Sequence, residues 1–198
     1  WQKVLGGEGG HGVIVLSPNA IERLTTYNPE RPLPKIFRLV KNGKLIEGVY
    51  KGETLNTPSM FCVADALDSL GWIKEIGGLT ETIRRSNENF ECLQGWVDQK
   101  PWIENLVSDP ANRSNTSVCL KFSDDRFVAL NQDEKNRFVK EFVERLEAEN
   151  AAFDIKGHRN APPGLRIWCG ATINIEDIQN LLPWLDWCFH EIVSSYEG

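Results

Sequence analysis

The sequence predicts a globular protein that mixes helices with strands and divides into two domains. Hydrophobic residues make up 41% of the 198 residues and charged residues 25%, which is ordinary for a soluble protein with one or two cores. Beyond Pro101, the segments follow the order strand, helix, strand, strand, helix, which can form a two-layer α+β domain. We therefore expect one domain over residues 1–100 and another over residues 101–198.

The elements of the first domain are predicted from apolar runs and turn residues. Val13-Ile14-Val15-Leu16 is typical of a buried strand, and Ser17-Pro18-Asn19 can cap a helix over residues 20–26. Three prolines make residues 27–34 irregular. Residues 36–55 are predicted to be a loop with possible short strands.

Helices are predicted in the middle of the chain and at its end. Amphipathic patterns indicate helices at 60–70 and 79–98, with Gly77-Gly78 breaking the chain between them. In the second domain we expect strands at 117–122, 152–155 and 165–169 and helices at 133–150 and 174–195. Pro183 lies inside the last helix and is expected to kink it.

Charge and cysteine content exclude several classes of protein. The formal net charge of −6 argues against a global basic field that would recruit nucleic acid or an anionic membrane. No apolar run approaches the roughly 20 residues that span a bilayer. The five cysteines have no CxxC pair, which argues against a disulfide framework or a structural zinc site. Reduced thiols in a cytosolic protein are the simpler interpretation.

Lys3 is the first residue that can carry chemistry. It stands directly before the glycine-rich segment 6–12, whose GxxGxG spacing is a weak signal and lacks the Gly-Lys-Ser/Thr ending of a P-loop. The segment predicts a tight loop in which the backbone approaches another group closely. Taken alone, a single lysine is more often a solvated surface charge.

Two arginines and a histidine surround the Pro162-Pro163 turn. Gly157-His158-Arg159 precedes the turn, and Gly164-Leu165-Arg166 follows it. These side chains can converge on one small anion, because a guanidinium grips carboxylate or phosphate with two parallel hydrogen bonds. Solvated arginines on a hairpin are the alternative.

Asn56-Thr57-Pro58 precedes a predicted helix. One interpretation is an N-cap with proline in the first helical turn. The other is that an amide, a hydroxyl and the free N–H groups of the helix face a phosphate. The two interpretations are compatible.

Together these segments resemble the phosphoserine aminotransferase family of class V pyridoxal-phosphate enzymes. Their order agrees with that family, and the resemblance runs along nearly all of the chain. The matching segments are Trp1-Gln2-Lys3 with the glycine-rich loop and Val13-Ile14-Val15-Leu16, then Thr54-Leu55-Asn56-Thr57-Pro58, Ala111-Asn112-Arg113-Ser114, and Gly157-His158-Arg159 through Gly164-Leu165-Arg166. The interval from Arg159 to Arg166 is one residue longer than in enterobacterial-type members.

The resemblance implies a fold and an extent. The fold is α/β and aspartate-aminotransferase-like, of pyridoxal-phosphate fold type I. The chain would be a C-terminal portion, in which residues 1–100 end the large cofactor-binding domain and residues 101–198 form the small α+β domain. Because the N-terminal half of such an enzyme supplies further cofactor contacts, we expect this fragment alone to be inactive.

The resemblance also implies roles for the site residues. Lys3 would bind pyridoxal phosphate covalently and act as the catalytic residue, and Gln2 would contact the cofactor phosphate. Asn56 and Thr57 would reach the phosphate of the cofactor in the other subunit, which implies a homodimer.

The substrate contacts are implied in the same way. Arg166 is similar to the family's substrate-carboxylate arginine, and His158 and Arg159 resemble the residues that hold the substrate phosphate. The implied reaction passes the amino group of glutamate to 3-phosphohydroxypyruvate, giving O-phosphoserine for serine and pyridoxine biosynthesis in the cytoplasm.

Other functions remain as alternatives. Another class V aminotransferase of the alanine–glyoxylate type, or a cysteine desulfurase, would share the lysine segment, but the His158-Arg159 pair favours a phosphorylated substrate. A non-catalytic module that binds an anion would need no cofactor. No metal site is expected.

Overall fold

A computed structural model of the chain describes residues 2–7 and 12–195. The helices are α1 (Pro18–Thr26), α2 (Met60–Ile76), α3 (Gly78–Val97), α4 (Asp125–Ala129), α5 (Gln132–Ala148) and α6 (Ile175–Ser195). The strands are β1 (Val40–Lys41), β2 (Lys44–Leu45), β3 (Ile103–Asn105), β4 (Ser117–Phe122) and β5 (Gly164–Trp168). Short 3-10 segments lie at Lys3–Leu5, Lys35–Phe37, Glu47–Lys51 and Pro110–Asn112.

The chain forms two compact units that divide inside α2. The first unit is Trp1–Gly71 and the second is Trp72–Gly198. Each unit is a part of the folded chain whose residues contact one another more than they contact the other unit. The boundary predicted near residue 100, in contrast, concerns the two domains of a complete enzyme. That boundary stays a prediction.

The first unit is built from local turns and caps. Helix α1 begins at Pro18, two residues before the predicted start, because the Ser17 Oγ caps it by accepting the backbone N–H of Ala20 at 3.2 Å. β1 and β2 form a hairpin whose turn is Asn42-Gly43, and both residues have positive φ, 53° and 71°. Asn-Gly is the turn sequence that this geometry favours. Besides this hairpin, the predicted loop region contains two short 3-10 segments, Lys35–Phe37 and Glu47–Lys51.

The predicted buried strand at Val13-Ile14-Val15-Leu16 is wrong. Residues 12–17 contain no strand, and Val13, Ile14 and Val15 are exposed at 77%, 58% and 89%. An extended run becomes a buried strand only if other strands satisfy its backbone and other side chains cover it. In the described part of this unit, no strand pairs with residues 13–16, and Val13, Ile14 and Val15 are not covered by other side chains.

Two glycines separate α2 from α3 as predicted. Helix α2 runs six residues further than expected, to Ile76, and α3 begins at Gly78. Gly77 and Gly78 have φ of 120° and 73°, backbone conformations that side-chain-bearing residues rarely adopt. The exposed face of α3 is solvated as expected, with Arg84 paired to both Glu81 and Glu88. The hydrogen bond from Arg84 lowers the pKa of the Glu81 carboxyl.

The second unit contains a three-stranded antiparallel sheet in the order β3-β4-β5. β4 and β5 confirm the predicted strands at 117–122 and 165–169, and α5 and α6 confirm the predicted helices. β3 and α4 were not predicted, because three and five residues are too short for a clear period. Along β4, side chains alternate between half-buried and buried, so one face of the sheet covers the core.

Aromatic rings fill the core of the second unit. Trp102 stacks on Phe189 with 4.1 Å between ring centroids, and Phe122 meets Phe142 edge-on at 5.3 Å. Phe142 is fully buried. Rings packed in this way bury large apolar areas, so this core is the main source of stability in the unit.

The predicted strand at 152–155 is wrong. Asp154 has φ of 53°, which interrupts the extended conformation, and Lys156 makes only an isolated bridge to Leu165. The segment nevertheless runs beside β5, because Arg166 donates its backbone N–H to the Ile155 carbonyl at 2.7 Å. The segment therefore forms an irregular edge of the sheet and not a regularly hydrogen-bonded strand.

Three further expectations concern the whole chain. Within the described residues, all five cysteines are free thiols. That same part of the chain contains no cluster of side chains able to hold a metal ion. Over residues 2–7 and 12–195, no helix is long and apolar enough to cross a membrane.

Candidate functional site

The backbone at Lys3 is in an unusual conformation. Lys3 opens a 3-10 segment with φ of 64°, and Gly6 closes it with φ of 67° and an N–H that donates to the Lys3 carbonyl at 2.9 Å. Non-glycine residues in this left-handed region are uncommon and concentrate at functional sites. The side chains of Gln2 and Lys3 are both exposed.

The glycine-rich loop after Lys3 is described only in part. Residues 8–11 lie outside the described residues, so the expected close approach there stays a prediction. Gly6 provides the tight turn, and a side chain added at Gly12 would meet nothing within 4 Å. The turn at Gly6 is therefore the part of the expectation that the structure supports.

Asn56 and Thr57 lie in an exposed segment before α2. The predicted cap is wrong by two residues, because Ser59 accepts the N–H of Cys62 at 3.3 Å and the helix begins at Met60. Instead, the Thr54 hydroxyl donates to the Asn56 carbonyl at 2.6 Å and fixes the approach to the helix. The Asn56 amide and the Thr57 hydroxyl are exposed to solvent and so accessible to a ligand.

Two glycines shape the segment that carries His158 and Arg159. A Cβ at Gly157 would lie 3.0 Å from the Gly164 carbonyl oxygen, and a Cβ at Gly164 would lie 2.2 Å from the Leu120 carbonyl oxygen. The Gly157 N–H donates to the Gly164 carbonyl at 2.9 Å. The chain can run this close to β5 because neither position has a side chain.

His158 and Arg159 line one small cavity. Its volume is about 210 Å³, and its walls come from residues 156–159 and 161–164 together with Asn136 and Val139 of α5. The His158 Nδ1 accepts the backbone N–H of Asn160 at 3.2 Å. The cavity thus offers one imidazole and one guanidinium to an anion.

Arg166 lies on β5 and is not among the described residues that line this cavity. It pairs with Cys119 in the ladder, on the face opposite to the buried Leu165 and Ile167. Its guanidinium meets the Asp154 carboxylate, with 3.3 Å between Nη2 and Oδ2. The structure therefore brings His158 and Arg159 together and places Arg166 on the strand beside them.

Arg113, in another segment that resembles the family, serves a local structural role. Its Nε donates to the Val107 carbonyl at 2.9 Å and its Nη2 to the Ser108 carbonyl at 3.0 Å. The guanidinium thereby closes the loop between β3 and β4.

Sequence reasoning missed two polar residues of the second unit. Asp154 pairs with Arg166, and the buried Asn89 donates to the Ile173 carbonyl at 2.9 Å, tying α3 to the loop after β5. Asn89 gave no sequence signal, because its partner is 84 residues away. Asp154 gave a weak one, an acid in a segment otherwise rich in basic residues.

The predicted residues fall in both units. Gln2, Lys3, Asn56 and Thr57 belong to the first unit, and His158, Arg159 and Arg166 belong to the second.

Two curated relatives with similar sequences carry the name phosphoserine aminotransferase. The chain is 47% identical over 189 residues to the phosphoserine aminotransferase of Methanosarcina mazei, an alignment that covers 96% of this chain and 48% of that protein. The chain belongs to the phosphoserine aminotransferase family. The Methanosarcina barkeri enzyme of the same name is 48% identical over 190 residues, or 96% of this chain and 49% of that protein. The chain spans about half the length of the curated relatives it matches.

A solved structure extends the comparison to the fold of the family. The pyridoxal-phosphate-bound phosphoserine aminotransferase of Trichomonas vaginalis matches with a TM-score of 0.60 and 23% identity, over 80% of this chain and 40% of that one. The predicted aspartate-aminotransferase-like fold is thereby confirmed. No family model matches the chain.

Proposed function

We propose that this chain is part of a pyridoxal-phosphate-dependent phosphoserine aminotransferase. The enzyme would transfer the amino group between glutamate and 3-phosphohydroxypyruvate, giving O-phosphoserine and 2-oxoglutarate. The observation that carries this proposal is 47% identity to a protein of that name across 96% of the chain. We also propose that the large domain ends near residue 100 and that residues 101–198 form the small domain.

The residues of the first unit fit the cofactor. A lysine amine exposed on a left-handed turn is available to a carbonyl group, and an exposed amide on the preceding residue suits a phosphate. When bound, pyridoxal phosphate supplies the aldehyde that captures amines and the ring that withdraws electrons from the substrate. Lys3 would hold it through Nζ and, once displaced, move the proton at the substrate α-carbon.

The cofactor phosphate needs several donors. Gln2 would supply one from its own subunit, and Asn56 and Thr57 would supply an amide and a hydroxyl to the cofactor of the partner subunit. Their exposure, with neither used as the cap of α2, supports this role. The functional unit would then be a homodimer acting in the cytoplasm, in serine and pyridoxine biosynthesis.

The residues of the second unit fit a substrate with two acidic groups. Arg166 would bind the carboxylate that every amino-acid and oxo-acid substrate carries. His158 and Arg159, which share the 210 Å³ cavity, would hold the phosphate. This division favours phosphoserine over the unphosphorylated substrates of an alanine–glyoxylate aminotransferase or a cysteine desulfurase.

The lysine assignment is tested in the complete polypeptide that carries this chain. We expect Lys3→Ala to lower kcat/KM by about 10²–10⁴-fold, the range for loss of a group that transfers protons. Lys44→Ala, at another exposed lysine, should leave the rate unchanged. Borohydride reduction should fix the cofactor to the Lys3 peptide, as measured by mass spectrometry. Binding of anions without this adduct would favour a non-catalytic module.

The substrate assignment is tested by comparing amino donors. Phosphoserine should be preferred over alanine and serine with 2-oxoglutarate as acceptor. We expect Arg159→Gln to raise the KM for phosphoserine by about 10–100-fold, since it removes a charged hydrogen bond, and to leave the KM for alanine unchanged. Equal effects on both donors would contradict a phosphate site at Arg159.

A further inference from the structure

Arg166 already has an anionic partner within its own unit. Its Nη2 lies 3.3 Å from the Asp154 Oδ2, and the exposed fractions of the two side chains are 34% and 90%. The guanidinium is thus partly enclosed by the protein, whereas the carboxylate is almost fully in solvent. An anion from solution can reach the same guanidinium by displacing that carboxylate.

The backbone fixes Asp154 at this position. Arg166 donates its N–H to the Ile155 carbonyl at 2.7 Å, and Lys156 bridges to Leu165. Asp154 itself has φ of 53°, a conformation in which asparagine and aspartate are strongly enriched among residues with side chains. The carboxylate is therefore held beside Arg166 by the fold and does not reach it by chance from a flexible loop.

We propose that Asp154 is the resident counter-ion of Arg166 and that the α-carboxylate of the substrate takes its place. This inference rests on the proposed role of Arg166 in binding that carboxylate. Asp154 then keeps the guanidinium paired when no substrate is bound. It also competes with every substrate that carries an α-carboxylate, the amino donor and the oxo acid alike.

The competition predicts that removing the charge improves substrate binding. An exposed ion pair of this kind contributes enough that its loss should lower the KM of both substrates by about two- to fivefold. kcat should stay unchanged, because Asp154 is displaced in the substrate complex and in the transition state alike. Its removal therefore strengthens the binding of both by the same factor. The gain should shrink at high ionic strength, since salt screens the charge of an exposed carboxylate.

The experiment uses Asp154→Asn in the complete polypeptide with its cofactor. Asparagine keeps the shape of the side chain and tolerates the positive φ, so the fold is preserved. Asp154→Gly, which also accepts this backbone, removes the side chain altogether and should give the same decrease in KM. Asp125→Asn, at an exposed aspartate in the first turn of α4, is the matched control for the loss of one charge.

Steady-state KM and kcat are measured for phosphoserine and 2-oxoglutarate at low and high salt, with Arg166→Lys in parallel. A lower KM for both substrates that depends on salt and is absent in Asp125→Asn supports the inference. An unchanged or higher KM in Asp154→Asn, with KM raised by Arg166→Lys, overturns the counter-ion but leaves the function of Arg166 standing. If Arg166→Lys leaves both KM values unchanged, the assignment of Arg166 fails and the counter-ion fails with it.

Discussion

The two units of this chain contain similar apolar residues and use them differently. Among the described residues of the first unit, Ala66 alone is buried, while Val15, Met60 and Phe61 are exposed at 89%, 72% and 72%. The second unit buries a continuous set of aromatic and aliphatic side chains around Phe142. A hydrophobic sequence thus shows how much surface is available for burial, and the neighbouring elements decide whether it is buried.

Replacing a buried and an exposed phenylalanine by alanine, one in each unit, should give the largest difference between the units. Phe142→Ala removes a fully buried ring and should lower the free energy of unfolding by about 3–5 kcal/mol. Phe61→Ala removes a ring that is 72% exposed and should change it by less than about 0.5 kcal/mol. Urea unfolding followed by circular dichroism measures both. Equal losses would show that Phe61 is packed as tightly as Phe142.

A pair of glycines gives the next largest effect. Gly164→Ala would place a Cβ 2.2 Å from the Leu120 carbonyl oxygen. Because β4 and β5 must then separate, the free energy of unfolding should fall by about 1–3 kcal/mol. Gly71→Ala places a methyl group where nothing lies within 4 Å, inside α2. It should stabilise the helix by about 0.5–1 kcal/mol. Thermal melting of both variants and of the parent chain tests whether Gly164→Ala lowers the melting temperature and Gly71→Ala raises it.

The cysteines compare the two units through the reactivity of their thiols. Burial raises the pKa of the Cys169 and Cys188 thiols from the ordinary value near 9 to about 12. Both should react with a maleimide at pH 8 at least about tenfold more slowly than the half-buried Cys62 of the first unit.

The same pKa shifts determine how stability depends on pH. Because the folded pKa lies above the unfolded one, the buried thiols contribute stability below about pH 9 that is lost as the pH rises toward 12. The free energy of unfolding should therefore fall over that range. Replacing Cys169 by Ala should flatten the fall. A slope unchanged by that substitution would assign the loss to other groups.

Local signals in the sequence were sufficient for several elements. Ser17-Pro18 starts α1, Gly77-Gly78 separates α2 from α3, and the alternation in residues 117–122 forms β4. Caps, left-handed turns and periods depend on neighbours within a few residues, so the chain encodes them locally. The order of short motifs was likewise enough to indicate the family.

Tertiary structure alone decided the remaining features. The run at Val13-Ile14-Val15-Leu16 is apolar and yet exposed, and the segment at 152–155 follows β5 without becoming a strand. Burial and strand pairing depend on which partner faces a segment, and that partner lies far away in the sequence. The pair of Asp154 and Arg166 arises in the same way, because a hairpin brings together two charges that are 12 residues apart. The sequence determined which residues can react, and the fold determined which of them meet.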